Sequence, residues 1–407
     1  MVKSHLKSRV KSKETFILTI NGGSSSIKFA LFETSSLTRV LEGKIDRIGL
    51  KDATLTFSGK DKKDNVSQNI SAGTYKAAVD VLISFLEKKL GKNAMNNMVA
   101  VGHRIVHGGL KYNKPEEVDK EMLAELHNIK SFSPEHLPGE ILLMETFSKK
   151  FPGLKQIACF DTAFHREMPK VAHILPIPRK YYDKGIRRYG FHGISYSFLM
   201  DELSRISGKE YLGKIIIAHL GNGCSLAAVN KGKSVDTSMG FTPTAGIPMS
   251  TRSGDIDPGL VWYLARTERI DAEQFNKMIN SQSGLFGVSE ISSDMRDLLE
   301  KEEKDKDERA KEAIDLFCYQ IRKFIGSYSA AMNGLDTLIF SAGIGENAPK
   351  IRKRICQHFG FLGIELDEKK NNANSEIISS KESKVIVRVI KTDEELMIAK
   401  IISSFIK

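Results

Sequence analysis

Cysteine is scarce in this chain and follows no pattern: Cys159, Cys224, Cys318 and Cys356 are scattered along 407 residues. With no CxxC pair and no Cys/His metal spacing, neither a disulfide framework nor a zinc centre is expected. Three of the four sit in apolar surroundings, so reduced core thiols in a cytoplasmic protein are the natural reading. Apolar runs are short as well, and none approaches the roughly 18 to 20 residues of a membrane span. The N-terminus is basic (Lys3, Lys7, Arg9, Lys11, Lys13) but lacks the apolar stretch of a secretory signal. Residues 1–14 therefore read as a frayed extension. No basic motif interleaved with aromatics occurs, so the net charge of +11 fits an ordinary surface or anionic small substrates, and no nucleic-acid partner is expected.

What is present begins at Asn21-Gly22-Gly23-Ser24-Ser25-Ser26-Ile27-Lys28, directly after the apolar run Phe16-Ile17-Leu18-Thr19-Ile20. The run predicts a buried strand. Adjacent glycines let the backbone turn sharply and approach a ligand, while serines and a lysine offer hydroxyls, amides and a cation to phosphate oxygens. The spacing is not that of a GxxxxGK[ST] loop, and taken alone the stretch equally fits a hairpin turn.

The layout repeats. Lys214 to Leu220 leads into Gly221-Asn222-Gly223-Cys224-Ser225 as Phe16 to Ile20 leads into Asn21, and each turn is followed by a further apolar stretch. A second pair matches in order: Leu154 to Phe160 ends at Asp161, and Thr337 to Phe340 ends at Ser341-Ala342-Gly343-Ile344-Gly345-Glu346-Asn347. Tandem duplication of an α/β unit accounts for this order. Helical periodicity appears over Tyr75–Leu90, Lys311–Met332 and Glu394–Ile406, and the mixed-charge run Glu300–Lys311 reads as a solvated helix face. The expected domains are residues 15–162 with 394–407, and residues 163–393. Their boundary falls near Asp161–Met168.

Glycine turns at strand ends lie where open α/β sheets bind ligands. Two arginine motifs supply charge: Gly102-His103-Arg104-Ile105-Val106-His107-Gly108-Gly109, and Ser250-Thr251-Arg252-Ser253-Gly254-Asp255-Ile256-Asp257-Pro258. A guanidinium suits carboxylate and phosphate oxygens, although Arg252 could equally pair with Asp255 or Asp257. Asp161-Thr162-Ala163-Phe164-His165 and Arg187-Arg188-Tyr189-Gly190-Phe191-His192-Gly193 complete the set. The glycines beside His192 leave its ring reachable, whereas His103, His107, His165 and His219 read equally well as hydrogen-bonding fixtures.

Together these motifs, with His219-Leu220-Gly221-Asn222-Gly223, resemble the acetate kinases of the sugar kinase, Hsp70 and actin superfamily, from about Thr15 to the end of the chain. The resemblance implies two duplicated ribonuclease H-like, actin-like α/β domains with an active-site cleft between them. It implies reversible phosphoryl transfer from ATP to acetate, giving acetyl phosphate and ADP, in a homodimer. It implies Mg²⁺, or Mn²⁺ in its place, held by Asn21 and Glu394. Lys28, Ser24 and Ser26 would contact nucleotide phosphates, and His219, Leu220, Gly221, Asn222, Gly223, Asp294, Met295, Arg296, Gly343, Ile344, Gly345, Glu346 and Asn347 would form the ATP site. Arg104 and Arg252 would bind the acetate carboxylate and the phosphoryl group, His192 would stabilise the transition state, and Asp161 is the family's catalytic carboxylate. Val106, Phe191 and Pro243 would wall the acetate pocket. A propionate kinase and a non-enzymatic nucleotide switch are the competing readings.

Some positions depart from the usual family pattern. Gly22 stands where Ala or Cys is commoner, a change expected to be harmless or slightly loosening. Ser250 replaces Gly, Ile194 and Tyr196 replace Thr and His, and Glu135 stands where a leucine usually lines the acyl pocket.

Overall fold

The computed structural model describes residues 14–23, 25–59, 66–208 and 212–406; residues 1–13 of the N-terminal extension and Ser24 lie outside the described residues. The chain divides into two compact units, one of residues 1–105, 115–159 and 395–407, the other of 106–114 and 160–394.

The first unit carries strands β1 (Phe16–Gly22), β2 (Ile27–Glu33), β3 (Arg39–Asp46), β4 (Thr54–Gly59), β5 (Val66–Asn69), β6 (Met98–Ile105), β7 (Glu116–Glu117) and β8 (Lys155–Phe160). Their sheet order is β5-β4-β3-β2-β1-β6-β8-β7. β1 is central and reads as a continuous apolar run because both faces are covered: Ile17, Leu18 and Ile20 are buried. The helix Tyr75–Asn96 lays Val79, Leu82 and Leu86 into the same core as Leu18, Ile20 and Phe29. That helix continues past the expected Leu90, but Gly91 breaks it with a φ of 70°.

The second unit carries β9 (Lys214–Leu220), β10 (Cys224–Asn230), β11 (Lys233–Thr237), β12 (Thr337–Ser341) and β13 (Ile386–Val389), in the order β11-β10-β9-β12-β13. Isoleucines 215, 216 and 217 of β9 are buried, and the helix Glu308–Ala331 packs Phe317, Ile321 and Ile325 against the sheet.

The sheets confirm the duplication and correct its alignment. β3-β2-β1-β6-β8 and β11-β10-β9-β12-β13 follow one strand order, each with an antiparallel three-strand meander and a parallel neighbour beside its first strand. By position β12 therefore corresponds to β6, not to β8, and β8 corresponds to β13. A strand followed by a polar turn recurs at both β6 and β8, so order along the chain alone mismatched them. A second correction concerns residues 300–311. The helix Met295–Glu300 runs into a π-helical turn at Lys301–Asp305, breaks at left-handed Lys306, and restarts at Glu308 behind the Asp307 cap. The Asp307 side chain accepts from Ala310 N–H and so opens the second helix.

In the first unit the C-terminal helix Glu394–Ser403 buries Ile398 and Ile402 against β6. Contact this close requires glycine at 102, where a Cβ would lie 2.3 Å from Ile402 Cδ1 and 2.4 Å from Ile398 Cγ2. Gly102→Ala should therefore lower stability by about 1–3 kcal/mol through overpacking. A thermal or urea midpoint equal to wild type would show that the helix does not pack there.

Candidate active site

In the first unit the turn after β1 brings three polar side chains into one row. Asn21 pairs in register with Lys28 on β2 and with Arg104 on β6, so all three point to the same face. Arg104 Nη1 donates to Asn21 Oδ1 at 3.0 Å. The turn closes with Gly23 N–H donating to the Ser26 carbonyl at 2.7 Å. Gly22, expected to be harmless or slightly loosening, is required by its neighbours: a Cβ there would lie 2.6 Å from Tyr75 Oη and 2.9 Å from Leu143 Cδ1. Tyr75 fills the volume that an alanine or cysteine at 22 would take. His103, next to Arg104 and fully buried, is a structural fixture whose Nε2 donates to Gln156 Oε1 at 2.7 Å.

The second unit builds its site around the start of the helix Gly193–Ser207. The Asp161 carbonyl runs so close to this helix that a Cβ on Gly193 would lie 1.9 Å from it, and the buried Asp161 Oδ1 accepts from Ile194 N–H at 3.4 Å. The preceding His192 is thereby held at φ 58°, ψ 23°, a left-handed conformation that non-glycine residues seldom adopt away from functional positions. The flanking backbone is fixed from several sides. Arg188 Nη1 donates to the carbonyls of Thr237, Ser238 and Met239 at 3.0, 3.1 and 3.0 Å. His165 Nε2 donates to the Phe191 carbonyl at 3.1 Å while its Nδ1 meets Ser234 Oγ at 2.8 Å.

His192 and Arg252 meet beside the turn after β9. A Cβ on Gly223 would lie 3.2 Å from His192 Nε2 and 3.6 Å from Arg252 Nη1. Arg252 is aimed by donating to the Pro243 carbonyl at 3.1 Å. Of the neighbours suggested for it in the sequence, Asp255 instead accepts from Gly246 N–H and Asp257 from Gly259 N–H. Val106 and Phe191 are buried in the core cluster that also holds Met239, Ile247 and Met249, next to the Pro243 loop. The ring of His219 stacks on that of His192 at 4.2 Å, and its Nδ1 lies 2.8 Å from Ser195 Oγ.

β9 and β12 run parallel, with Ser341 opposite His219, so their turns share the carboxyl edge of the sheet. Leu220 is buried, Asn222 is exposed, and Gly221 approaches Ala342, where its Cβ would meet the Ala342 Cβ at 3.5 Å. In the short helix Ala342–Asn347, Gly343 is exposed, Ile344 is half-buried, and Asn347 Nδ2 donates to the Gly343 carbonyl. Glu346 Oε1 is occupied locally, accepting from Ala342 N–H at 2.8 Å and Thr392 N–H at 3.1 Å. Asp294 caps the helix Met295–Glu300 and forms an exposed pair with Arg296 at 2.6 Å, with Met295 buried beneath.

One supporting residue escaped the sequence reading. Arg352 is fully buried, and its guanidinium donates to the carbonyls of Gly345 and Glu346 at 2.9 and 3.0 Å and to Asn371 and Asn374. It holds the glycine turn from beneath. Its signal in the sequence was faint: an arginine on the inner face of the amphipathic stretch Pro349–Cys356.

A duplicated actin-like α/β scaffold with glycine turns at strand ends, and with arginine and histidine donors beside them, defines a kinase-type phosphotransferase. A family model described as the acetokinase family matches residues 16–400. The acetate kinase of Bacillus mycoides is 41% identical over 94% of this chain and 97% of its own, and that of Halothermothrix orenii 42% identical over 94% and 98%. Among solved structures, a propionate kinase from Francisella tularensis superposes with a TM-score of 0.89 at 37% identity, covering 95% of this chain and 98% of its own. The acetate kinase of Porphyromonas gingivalis gives 0.87 at 37% identity, covering 97% and 100%. The chain belongs to the acetokinase family.

Burial makes three histidines near the site pH-sensitive. Desolvation pulls His103 and His165 down to about 4 and His107 to about 3. Their ordinary value is about 6.5, so the unfolded chain takes up protons that the folded one refuses. Their contribution is fully present above pH 6.5 and is lost as pH falls towards 4. The thermal midpoint should drop across that window, and His165→Gln should flatten part of the slope. An unchanged slope in the variant would refute a neutral buried His165.

Proposed function

We propose that the protein is an acetate kinase, transferring the γ-phosphoryl group of ATP reversibly to acetate to give acetyl phosphate and ADP. The observation that carries this reading is the convergence of Arg252 Nη1 and His192 Nε2 on the space beside Gly223. Phosphoryl transfer needs positioning and charge neutralisation far more than covalent help, and two adjacent nitrogen donors suit the equatorial oxygens of the group in flight.

An acetate oxygen attacks the γ-phosphorus, the bond to the bridging oxygen breaks, and the electron pair leaves on ADP. Acetate is already ionised at neutral pH, so no general base is required. Arg104 and Arg252 bind the carboxylate and the phosphoryl oxygens, with Val106, Phe191 and Pro243 enclosing the methyl group. His192 donates to the transferring group. Asp161 works by fixing the helix start next to His192, as its contact with Ile194 N–H suggests. Lys28 and Ser26, together with Ser24, contact phosphates, while His219–Gly223, Asp294–Arg296 and Gly343–Asn347 contact the nucleotide.

Asn21 and Glu394 are the residues assigned to Mg²⁺, or Mn²⁺ in its place. Their oxygens are the hard donors this ion prefers, and an amide oxygen that accepts from Arg104 has a second lone pair. Among the described residues no cluster of three or more His, Cys, Asp or Glu side chains stands ready for a metal, which fits an ion completed by phosphates and water. When bound it would neutralise charge on the nucleotide phosphates.

Propionate is the second reading, favoured by the likeness to the Francisella propionate kinase. One methylene provides only about 1–3 kcal/mol of discrimination. Glu135, where a leucine was expected to line the pocket, is exposed before the helix Leu137–Lys150. A nucleotide switch without an acyl substrate has no use for the Arg252–His192 pair.

The enzyme is further assigned to the cytoplasm as a homodimer. No helix among the described residues is long and apolar enough to cross a membrane, and the four cysteines are free and buried. The helix Gly259–Thr267 buries none of its side chains within the chain, and Trp262 is 64% exposed beside Val261 and Tyr263. A second copy of the chain would cover that face.

With Mg-ATP and acetate, hydroxylamine trapping should yield acetohydroxamate, and kcat/KM should be higher for acetate than for propionate. No trapped product, or a preference for propionate, overturns the assignment. Arg104→Ala and Arg252→Ala should each lower kcat by about 10³-fold or more, and near-normal turnover in either removes that arginine from the chemistry. Sedimentation of Trp262→Asp should show a monomer; a dimer like wild type would place the interface elsewhere.

A further inference from the structure

Tyr196 lies one helical turn after His192 and is fully buried, packed at 5.5 Å against Phe164 and at 5.6 Å against His165. Its Oη forms a short hydrogen bond with Ser225 Oγ, and that oxygen lies 2.8 Å from His192 Nδ1. Ser225 is likewise fully buried, at the second position of β10, where it pairs with His219. The three groups form a chain running from the helix interior to the ring beside Gly223.

Counting protons gives this chain a direction. Tyr196 has one hydroxyl proton, Ser225 has one, and a neutral imidazole has one to place on either nitrogen. Both hydroxyl protons are used when Tyr196 donates to Ser225 and Ser225 donates to His192 Nδ1. If Nδ1 carried the ring proton and gave it to Ser225, one hydroxyl proton, on Ser225 or on Tyr196, would be left without an acceptor in a dry site. Leaving a buried donor unmade costs more than a hydrogen bond gains. The satisfied arrangement makes Nδ1 an acceptor and places the ring proton on Nε2, the atom that faces the Gly223 position beside Arg252 Nη1.

We propose that Tyr196 and Ser225 are positioning residues that hold His192 as its Nε2–H tautomer, so that the ring presents a neutral hydrogen-bond donor to a phosphoryl oxygen next to the Arg252 guanidinium. The phosphoryl ligand rests on the acetate kinase reading; the tautomer rests on the hydrogen-bond chain alone. In this chain the phenol of Tyr196, a departure from the expected family pattern, reaches the His192 ring through Ser225. Tyr196→Phe keeps the packed ring and removes one proton. Ser225 still donates to Nδ1, because turning to accept would leave its own hydroxyl proton without an acceptor, but its oxygen loses the donor that polarises it. Ser225→Ala removes the donor to Nδ1 itself.

The test labels histidine with ¹⁵N in the full-length chain, assigns His192 by the signals lost in His192→Asn, and reads its two ring nitrogens without substrate. Wild type should show Nε2 protonated and Nδ1 bare. Ser225→Ala should mix the two forms and lower kcat by about tenfold, with KM for ATP near wild type. Tyr196→Phe should keep Nε2 protonated, shift the Nδ1 signal and lower kcat less; it decides alone if Ser225→Ala does not fold. A bare Nε2 in wild type overturns the proposal, and so does an unchanged pair of His192 signals in Ser225→Ala or in Tyr196→Phe. A protein that makes no acetyl phosphate but shows Nε2 protonated would refute the activity and leave the hydrogen-bond chain standing.

Discussion

The contact on which the candidate site of the second unit depends is the approach of the Asp161 carbonyl to Gly193. A side chain at 193 would collide with that oxygen at 1.9 Å, so the turn Asp161–His165 and the helix Gly193–Ser207 meet only because position 193 has none. That meeting puts His192 into a left-handed turn, which costs of order 1–3 kcal/mol and persists because its surroundings over-determine it. Asp161 contributes through its carboxylate, Arg188 through three carbonyls, and His165 through the Phe191 carbonyl. The buried polar groups of this region serve the backbone first. Their density in the sequence reflects the number of hydrogen bonds needed to hold one ring in one place.

The duplicated sheets supply the frame for this. Each unit sets a buried apolar strand at its centre and ends it in a glycine turn, so that polar groups on neighbouring strands arrive side by side. In the first unit the row is Lys28, Asn21 and Arg104 across three strands. In the second, the turns after β9 and β12 share one edge. Parallel pairing puts the ends of β1 and β6, and of β9 and β12, at the same level, and this alone brings motifs more than 80 residues apart into one site.

Much of this was legible in the sequence. Branched apolar runs followed by glycines marked β1 and β9, because a strand buried on both faces needs such a run and a ligand turn needs such glycines. The arginine loops stood out because they were too polar for a core. What stayed hidden depends on distance in space. The equivalence of β12 with β6 rests on sheet position, which order along the chain does not specify. Arg352 looked like one more basic residue on a basic helix face, and only burial shows it bracing Gly345 and Glu346. Gly22 read as harmless or slightly loosening, and its necessity stayed hidden because Tyr75, 53 residues later, fills the space above it. Tyr196 read as a bare departure from the family pattern because its partner Ser225 sits on another element.

The division of labour between Arg252 and His192 follows from their closeness. His192 Nε2 and Arg252 Nη1 both lie within 3.6 Å of the Cβ position at Gly223, and two full positive charges less than about 7 Å apart repel by about 2 kcal/mol or more at an effective dielectric of 20, before any ligand arrives. Arginine keeps its charge in any protein environment, so the histidine is the member of the pair that relieves the repulsion by staying neutral. A neutral imidazole donates one hydrogen bond and adds no charge to the site before the phosphoryl group binds. A serine hydroxyl that donates into Nδ1 favours that state, whereas a carboxylate there would stabilise the imidazolium. The choice of Ser225 and Tyr196 behind the ring is therefore what allows Arg252 to stand beside it.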